Sequence, residues 1–199
     1  IFFGGTDPGR FVPEYLIGCN QFRGDLWLVT QNGLADATYM TTLRDRYSEV
    51  RTVYPWARAL LRVLDAERED PLRADPRSTD PKRGTVYIPD QQDFERAFQI
   101  YIKEVEDQKK GVPIDGDETG VSGVMQLNGI LARMIFQENT NAHAFYIEES
   151  YVINWMYPYL KPAGLIMQLC KDKVTLTPDI VKADLDYWAN LTNIFADGG

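Results

Sequence analysis

The residues best able to do chemistry in this 199-residue chain stand in four polar turns, each placed directly after a short apolar run. Gly4-Gly5-Thr6-Asp7-Pro8-Gly9-Arg10 follows Ile1-Phe2-Phe3, and Gln31-Asn32 follows Leu26–Thr30. Asp90 follows Thr85–Ile88, and Glu148-Glu149-Ser150 follows Ala144–Ile147. If the apolar runs are parallel strands, the turns after them gather on one edge of the sheet, where α/β folds build their ligand sites. Gly4, Gly5, Thr6, Asp7, Arg10, Gln31, Asn32, Asp90, Glu148 and Glu149 then form one candidate ligand-binding set. None of them can be assigned a catalytic role from the sequence. Asp7 would hold a sugar hydroxyl or a metal, and Arg10 an anion beside a helix N-terminus. Equally, Asp7 would cap the helix and Arg10 would pair with a carboxylate. The glycines at 4, 5 and 9 miss the G-x-G-x-x-G dinucleotide spacing, and no Gly-Lys-Ser/Thr loop follows. A Gly-rich turn also serves simply to bend the backbone. Glu148 and Glu149 point to opposite faces of a strand, so only one can enter a given cleft. Their alternative role is at a helix entry beside Tyr151.

Other motifs carry less. Asp115-Gly116-Asp117-Glu118-Thr119-Gly120 resembles the front of a calcium loop, but Gln126 stands where the bidentate Glu is required. It reads as a solvated acidic loop. The single histidine, His143, lies in a polar turn and excludes a His-based zinc site. Cys19 and Cys170 sit in apolar-periodic segments and read as buried free thiols. Tyr151, Trp155, Tyr157 and Tyr159 surround an expected helix and read as core rather than as a sugar platform. No Ser–His–Asp or Cys–His set can be assembled, and no metal or cofactor is expected.

The elements that must position these residues follow from periodicity. Strands are expected at Ile1–Phe3, Leu26–Thr30, Thr85–Ile88, Ala144–Ile147 and Leu165–Leu169. Helices are expected from Gly9-Arg10 to Phe22, over Ala37–Tyr47 with Asp36 as N-cap, and from Pro89-Asp90 to Lys109. Further helices are expected over Val121–Gln137, Tyr151–Leu160 and from Thr177-Pro178 to Leu191. Phe11, Tyr15, Cys19 and Phe22 share one face of the first. Ile180, Val181, Leu185, Trp188 and Leu191 are expected to face inward on the last. Residues 48–84 hold a short helical piece at Trp56–Ala66, then three prolines amid mixed charge. They read as an irregular, partly mobile insertion. The whole chain, 1–199, is expected to be a single α/β domain. Its expected form is Rossmann-like and three-layered, with a mostly parallel sheet of about five strands and helices on both faces.

Composition fits a globular domain, with 44% hydrophobic and 25% charged residues. A net charge of −8 argues against a nucleic-acid partner, which needs clustered Lys and Arg. No run approaches the ~20 apolar residues of a membrane helix. The abrupt start inside a strand suggests a fragment of a longer protein.

The opening unit, Ile1-Phe2-Phe3-Gly4-Gly5-Thr6-Asp7-Pro8-Gly9-Arg10-Phe11-Val12-Pro13-Glu14-Tyr15 with Phe22-Arg23-Gly24-Asp25-Leu26-Trp27-Leu28-Val29-Thr30-Gln31-Asn32, resembles a known bacterial segment. It is the segment that follows the membrane helices in the domain-of-unknown-function 2723 family, polytopic proteins related to protein O-mannosyltransferases. Phe2, Gly5, Asp7, Phe11, Tyr15, Arg23, Asp25 and Val29 carry the pattern. Ile88–Asp93 and Phe145–Ile153 add to it, and the turn departs from the family's Asn-Gly-Asp-rich form. The resemblance implies the soluble C-terminal domain of a membrane glycosyltransferase-like protein, facing outside the cytoplasm and anchored through N-terminal helices. The catalytic carboxylate of such a protein would lie in the membrane part, so this domain would not be catalytic alone. Its implied partners are the membrane-embedded remainder of its own chain and an acceptor protein or glycan. A different class of function is an autonomous Rossmann-like enzyme or binding protein that uses a nucleotide or nucleotide-sugar. A third is an interaction domain with no ligand.

Overall fold

The computed structural model describes residues 1–5, 7–19, 26–47, 86–110 and 123–197. The expected insertion at 48–84, with its helical piece, and the acidic loop at 111–120 lie outside them. Five strands and five helices are described: β1 Phe2–Gly4, α1 Asp7–Gly18, β2 Leu28–Thr30, α2 Ala37–Tyr47, α3 Gln91–Lys109, α4 Gly123–Asn139, β3 Phe145–Glu148, β4 Leu160–Ala163, β5 Ile166–Leu169 and α5 Pro178–Asp197. Short 3-10 segments cover Gln31–Gly33, Glu149–Tyr151 and Asn154–Tyr159.

The strands form one open sheet in the order β2-β1-β3-β5-β4. β1 runs parallel to both β2 and β3, whereas β5 is antiparallel to β3 and β4 is antiparallel to β5. The fold is thus α/β, parallel in its first half and closed by an antiparallel hairpin.

That hairpin corrects two expectations. Tyr151–Leu160 is not an α-helix but two 3-10 segments, the second containing Pro158. Lys161-Pro162-Ala163-Gly164 is not a helix stop. It is most of β4 and the turn to β5, with Gly164 at φ +73°. Pro162 is tolerated because β4 is an edge strand with one free side.

Of the expected strand at Thr85–Ile88, Thr85 lies outside the described residues and Val86–Ile88 is not in the sheet. Val86–Asp90 has no regular secondary structure, and its partner is a side chain. Asn139 of α4 accepts from the Tyr87 N–H (2.8 Å) and donates to the Tyr87 C=O (2.9 Å), as a neighbouring strand would. Asn139 also donates to the Ile135 C=O and is buried.

Strand register puts Ile1, Phe3, Val29, Phe145, Ile147, Met167 and Leu169 on one face of the sheet. This face meets Leu127, Leu131, Ala132, Ile135 and Phe136 of α4, Met40, Leu43 and Tyr47 of α2, and Ala97 of α3 in one core. Burying a side chain such as Leu131 contributes about 1.5–3 kcal/mol. α1 contacts β1 and β2. Its Phe11, Val12 and Tyr15 are exposed, as is Cys19, which is a free thiol but not a buried one. Phe22 lies outside the described residues. The last helix starts as expected, with Thr177 Oγ1 accepting from the Ile180 N–H. Its apolar stripe is not buried, however: Val181, Leu185 and Trp188 are exposed. α5 contacts β4, where the Tyr187 ring covers Gly164 and Asp184 accepts the Gly164 N–H.

The outer side of β2 is closed by tyrosines eight residues apart on α2. The Tyr39 hydroxyl accepts from the Thr30 N–H (2.6 Å), and the Tyr47 hydroxyl accepts from the Leu28 N–H (3.3 Å). These are the donors an edge strand otherwise presents to a foreign strand. Burial pushes the Tyr39 hydroxyl above its ordinary pKa, against the lowering effect of the Thr30 contacts.

Candidate functional site

Because β1, β2 and β3 are parallel, their carboxyl ends share an edge, and the structure does bring Gly5, Gln31, Asn32 and Glu148 together there. The Glu148 carboxylate accepts from the Gly5 N–H (3.1 Å) and from the Ser150 hydroxyl (2.8 Å). The Asn32 side chain donates to the Gly5 C=O (2.9 Å). Gln31 donates through Nε2 to the Tyr151 C=O (3.1 Å). On the far side of β2, buried Asn128 of α4 accepts from the Ala35 N–H and donates to the Asn32 C=O. Residues far apart in sequence are therefore tied together by their own hydrogen bonds.

The glycines explain how closely this edge is packed. A Cβ on Gly4 would collide with the Gly9 carbonyl, so strand and helix backbones touch where Gly4 meets Gly9. A Cβ on Gly5 would enter the Tyr151 ring, and a Cβ on Gly9 would enter the Glu148 carboxylate. The spacing of glycines at 4, 5 and 9 thus marks three close approaches. The space over the turn, where a phosphate would rest in a nucleotide fold, holds an aromatic ring and an anion.

The remaining members of the expected set are placed as follows. Thr6 lies outside the described residues. Asp7 is the first residue of α1. Arg10 lies with its guanidinium 4.9 Å from the centre of the Phe11 ring, and its Nε is buried without a hydrogen-bond partner. Gln31 Oε1 and Thr30 Oγ1 are likewise buried without one. Glu149 is exposed in a 3-10 turn, so of the two adjacent glutamates one faces the junction and the other faces solvent. Asp90 is not at this edge, because the strand expected before it is not in the sheet. It is the N-cap of α3: its carboxylate accepts from the Asp93 N–H (2.9 Å), while Asp93 accepts from the Asp90 N–H (3.2 Å). Asp93 also accepts from the Tyr87 hydroxyl (2.5 Å). Burial first, and this bond second, push the Tyr87 hydroxyl well above its ordinary pKa. Burial likewise pushes the Cys170 thiol up.

The structure shows a second polar feature that the sequence reading missed. A cleft of about 240 Å³ is lined by Arg133, Phe136 and Gln137 of α4, Thr140 just after it, Trp155 and Tyr159 of the 3-10 segment, and Lys171. It lies at the opposite end of the sheet from Glu148, since Lys171 follows β5 and Thr140 precedes β3. The signal available in sequence was the spacing 133, 136, 137 and 140, which is one helical face. Its partners come from segments misread as one α-helix, so the face had nothing to meet. Among the described residues, no group of three or more His, Cys, Asp or Glu could hold a metal ion. No described helix is long and apolar enough to cross a membrane. Comparison with protein-family models, curated proteins and solved structures found no match.

Proposed function

We propose that this chain is a non-catalytic binding and interaction domain rather than a nucleotide-using enzyme. One observation carries the reading: Glu148, Asn32 and the Gln31 side-chain N–H are engaged with Gly5, Ser150 and Tyr151 of the same edge. Glu148 takes the Gly5 N–H that a phosphate would need, and its negative charge stands where the phosphate would stand. Tyr151 fills the adjoining space. Such an edge holds strands and helices in place.

The reading extends to a parent protein. The domain would be the extracytoplasmic part of a membrane glycosyltransferase-like protein of the domain-of-unknown-function 2723 type. It would work beside the membrane-embedded remainder of its own chain and contact acceptor protein or glycan. Its support is the resemblance carried by Phe2, Gly5, Asp7, Phe11, Tyr15, Arg23, Asp25 and Val29. A Rossmann-like, three-layer arrangement belongs to the same reading, supported by the parallel β2-β1-β3 order and the Gly4–Gly9 contact of α1. The native gene should encode several apolar runs of ~20 residues upstream. A start codon immediately before Ile1 would overturn the membrane parent.

The nucleotide reading keeps in its favour the buried Arg10 Nε, Thr30 Oγ1 and Gln31 Oε1, which have no hydrogen-bond partner. Thermal melting with ATP, NAD and UDP-glucose separates the two. A ligand at a hundredfold excess over its Kd stabilises by about 2.7 kcal/mol. The expected result is no shift in Tm with any of them. A shift of several degrees that disappears in Asn32→Ala would overturn the interaction reading.

A further inference from the structure

The cleft at the opposite end of the sheet has the chemistry of a binding site. Its floor is aromatic. Phe136 and Trp155 are buried side by side, with ring centres 5.5 Å apart, and Tyr159 lies 6.4 Å from Phe136. The indole N–H of Trp155 donates to the Gly129 C=O (3.1 Å), so its ring, not its polar tip, is available to the cleft. The rim is polar and positive. Arg133 and Lys171 supply cations, while Gln137, Thr140 and Tyr159 supply uncharged polar groups. Lys171 donates to Asn141 Oδ1 (2.7 Å), which uses one of its three N–H donors. Neither cation is ion-paired with a described residue. Among the described residues no carboxylate lines the cleft, in a chain whose acidic residues outnumber its basic ones.

We infer that this cleft binds a monosaccharide bearing an acidic group, a uronate or a sugar phosphate. Each part of the ligand answers a part of the site. The apolar C–H face of a pyranose packs on the aromatic floor. Ring hydroxyls exchange hydrogen bonds with Gln137, Thr140 and Tyr159. The anion sits between Arg133 and Lys171, where charge-assisted hydrogen bonds are the strongest available. The volume is below the usual range of about 300–1,000 Å³ for ligand pockets, which suits a single ring rather than a dinucleotide. The inference gives a ligand class to the binding role proposed above and rests on it. The nucleotide experiment tests the other end of the sheet, so the two fail separately.

The test is a titration of the intact chain with glucuronate and glucose 6-phosphate. Binding is read by Trp fluorescence and by saturation-transfer NMR. Glucose and inorganic phosphate serve as single-feature controls. Saturable binding of an acidic sugar at millimolar concentration is expected, with each control much weaker. Arg133→Gln and Lys171→Gln should each weaken binding about tenfold or more, as loss of a hydrogen bond to a charged group does. Both side chains are at least partly exposed, so unchanged melting curves should verify the fold. Glucuronate and glucose 6-phosphate share the ring hydroxyls at C1 to C4 and differ at C6 in the acid, its charge and its reach, so their relative affinity identifies which acid the site prefers. Equal binding of glucose overturns the charge assignment. Equal binding of inorganic phosphate overturns the sugar assignment. No binding of either acidic sugar, or binding unchanged in both variants, overturns the proposal.

Discussion

Gly9→Ala is a decisive substitution for the sheet edge, because the structure predicts that its effect changes sign with the residue at 148. In the wild-type background the new methyl group would occupy the position of the Glu148 carboxylate. Either the helix shifts or Glu148 leaves, and leaving breaks the hydrogen bond from the Gly5 N–H. Overpacking a tight contact costs about 1–3 kcal/mol. Losing a hydrogen bond to a charged group costs about 1.5–3 kcal/mol. Alanine offsets up to about 1 kcal/mol through its better helix propensity. The net expectation is a loss of about 1–3 kcal/mol, or about 2–12 °C in Tm for a chain of this size. In a Glu148→Ala background the obstruction is gone. There Gly9→Ala should lie between neutral and about 1 kcal/mol stabilising. Urea unfolding of the four proteins, followed by Trp fluorescence, closes the cycle. A coupling energy of at least about 1 kcal/mol is expected, with m-values unchanged. The same loss in both backgrounds, or a loss below about 0.5 kcal/mol in the first, would show that the glycine is not there for Glu148.

Tyr39→Phe and Tyr47→Phe should each cost about 1 kcal/mol by leaving an edge N–H of β2 without its acceptor. The double variant should self-associate in sedimentation velocity, and a monomer identical to wild type would refute the edge role. Asn139→Ala removes both bonds to Tyr87 and one to Ile135, for a loss of about 2–4 kcal/mol. Hydrogen exchange should accelerate first at the Tyr87 amide, and uniform acceleration would contradict the strand-mimic assignment. Tyr39 and Tyr87 both have hydroxyls raised above the ordinary pKa of about 10, so the folded state favours their neutral forms. Their contribution to stability is complete below about pH 10 and is lost as pH rises above it, where the unfolded chain ionises first. Denaturation midpoints measured from pH 8 to 11 should fall less steeply in a Tyr39→Phe, Tyr87→Phe variant, and parallel curves would refute this.

The elements with strong local signals were legible in the sequence. α2 was expected and found over Ala37–Tyr47, with the Asp36 carboxylate accepting from the Tyr39 N–H. The start of α5 was legible because Thr177 and Pro178 are local cap chemistry. What failed needed information from a distant partner. Val86–Ile88 has the composition of a strand, but no strand is available beside it and Asn139 takes that place. Leu160–Ala163 contains a proline that reads as a breaker until β4 is known to be an edge. The outward stripe of α5 has the periodicity of a buried one, and periodicity does not say whether a neighbour exists. The candidate site was legible as a place, since Gly5, Gln31, Asn32 and Glu148 do converge. Its role was not, because a glycine that admits a ligand and a glycine that admits a tyrosine ring look alike in one dimension. The cleft between Arg133 and Lys171 was hidden for a related reason: its floor depends on 3-10 turns that carry no periodic signature.

The position of β1 has a consequence for how the chain acquires its fold. β1 is synthesised before the other described strands, yet one of its two neighbours in the sheet is β3. Gly5 and Glu148, which seal that junction, are 143 residues apart. Until β3 is synthesised, β2 is the partner of β1 among the described strands, and the side that β3 will occupy keeps open donors and acceptors. The nascent chain must therefore carry an apolar, half-paired strand while the residues between β1 and β3 are synthesised. At about 5–20 residues per second, that interval lasts on the order of ten seconds. Pairing over such a sequence separation is also slow in itself, because the loop entropy is lost before the contact forms. Refolding of the whole chain and folding during translation should thus share a late step, the arrival of β3 beside β1. A chain truncated before Phe145 would leave the Gly4-Gly5 turn without the carboxylate and ring that now close it.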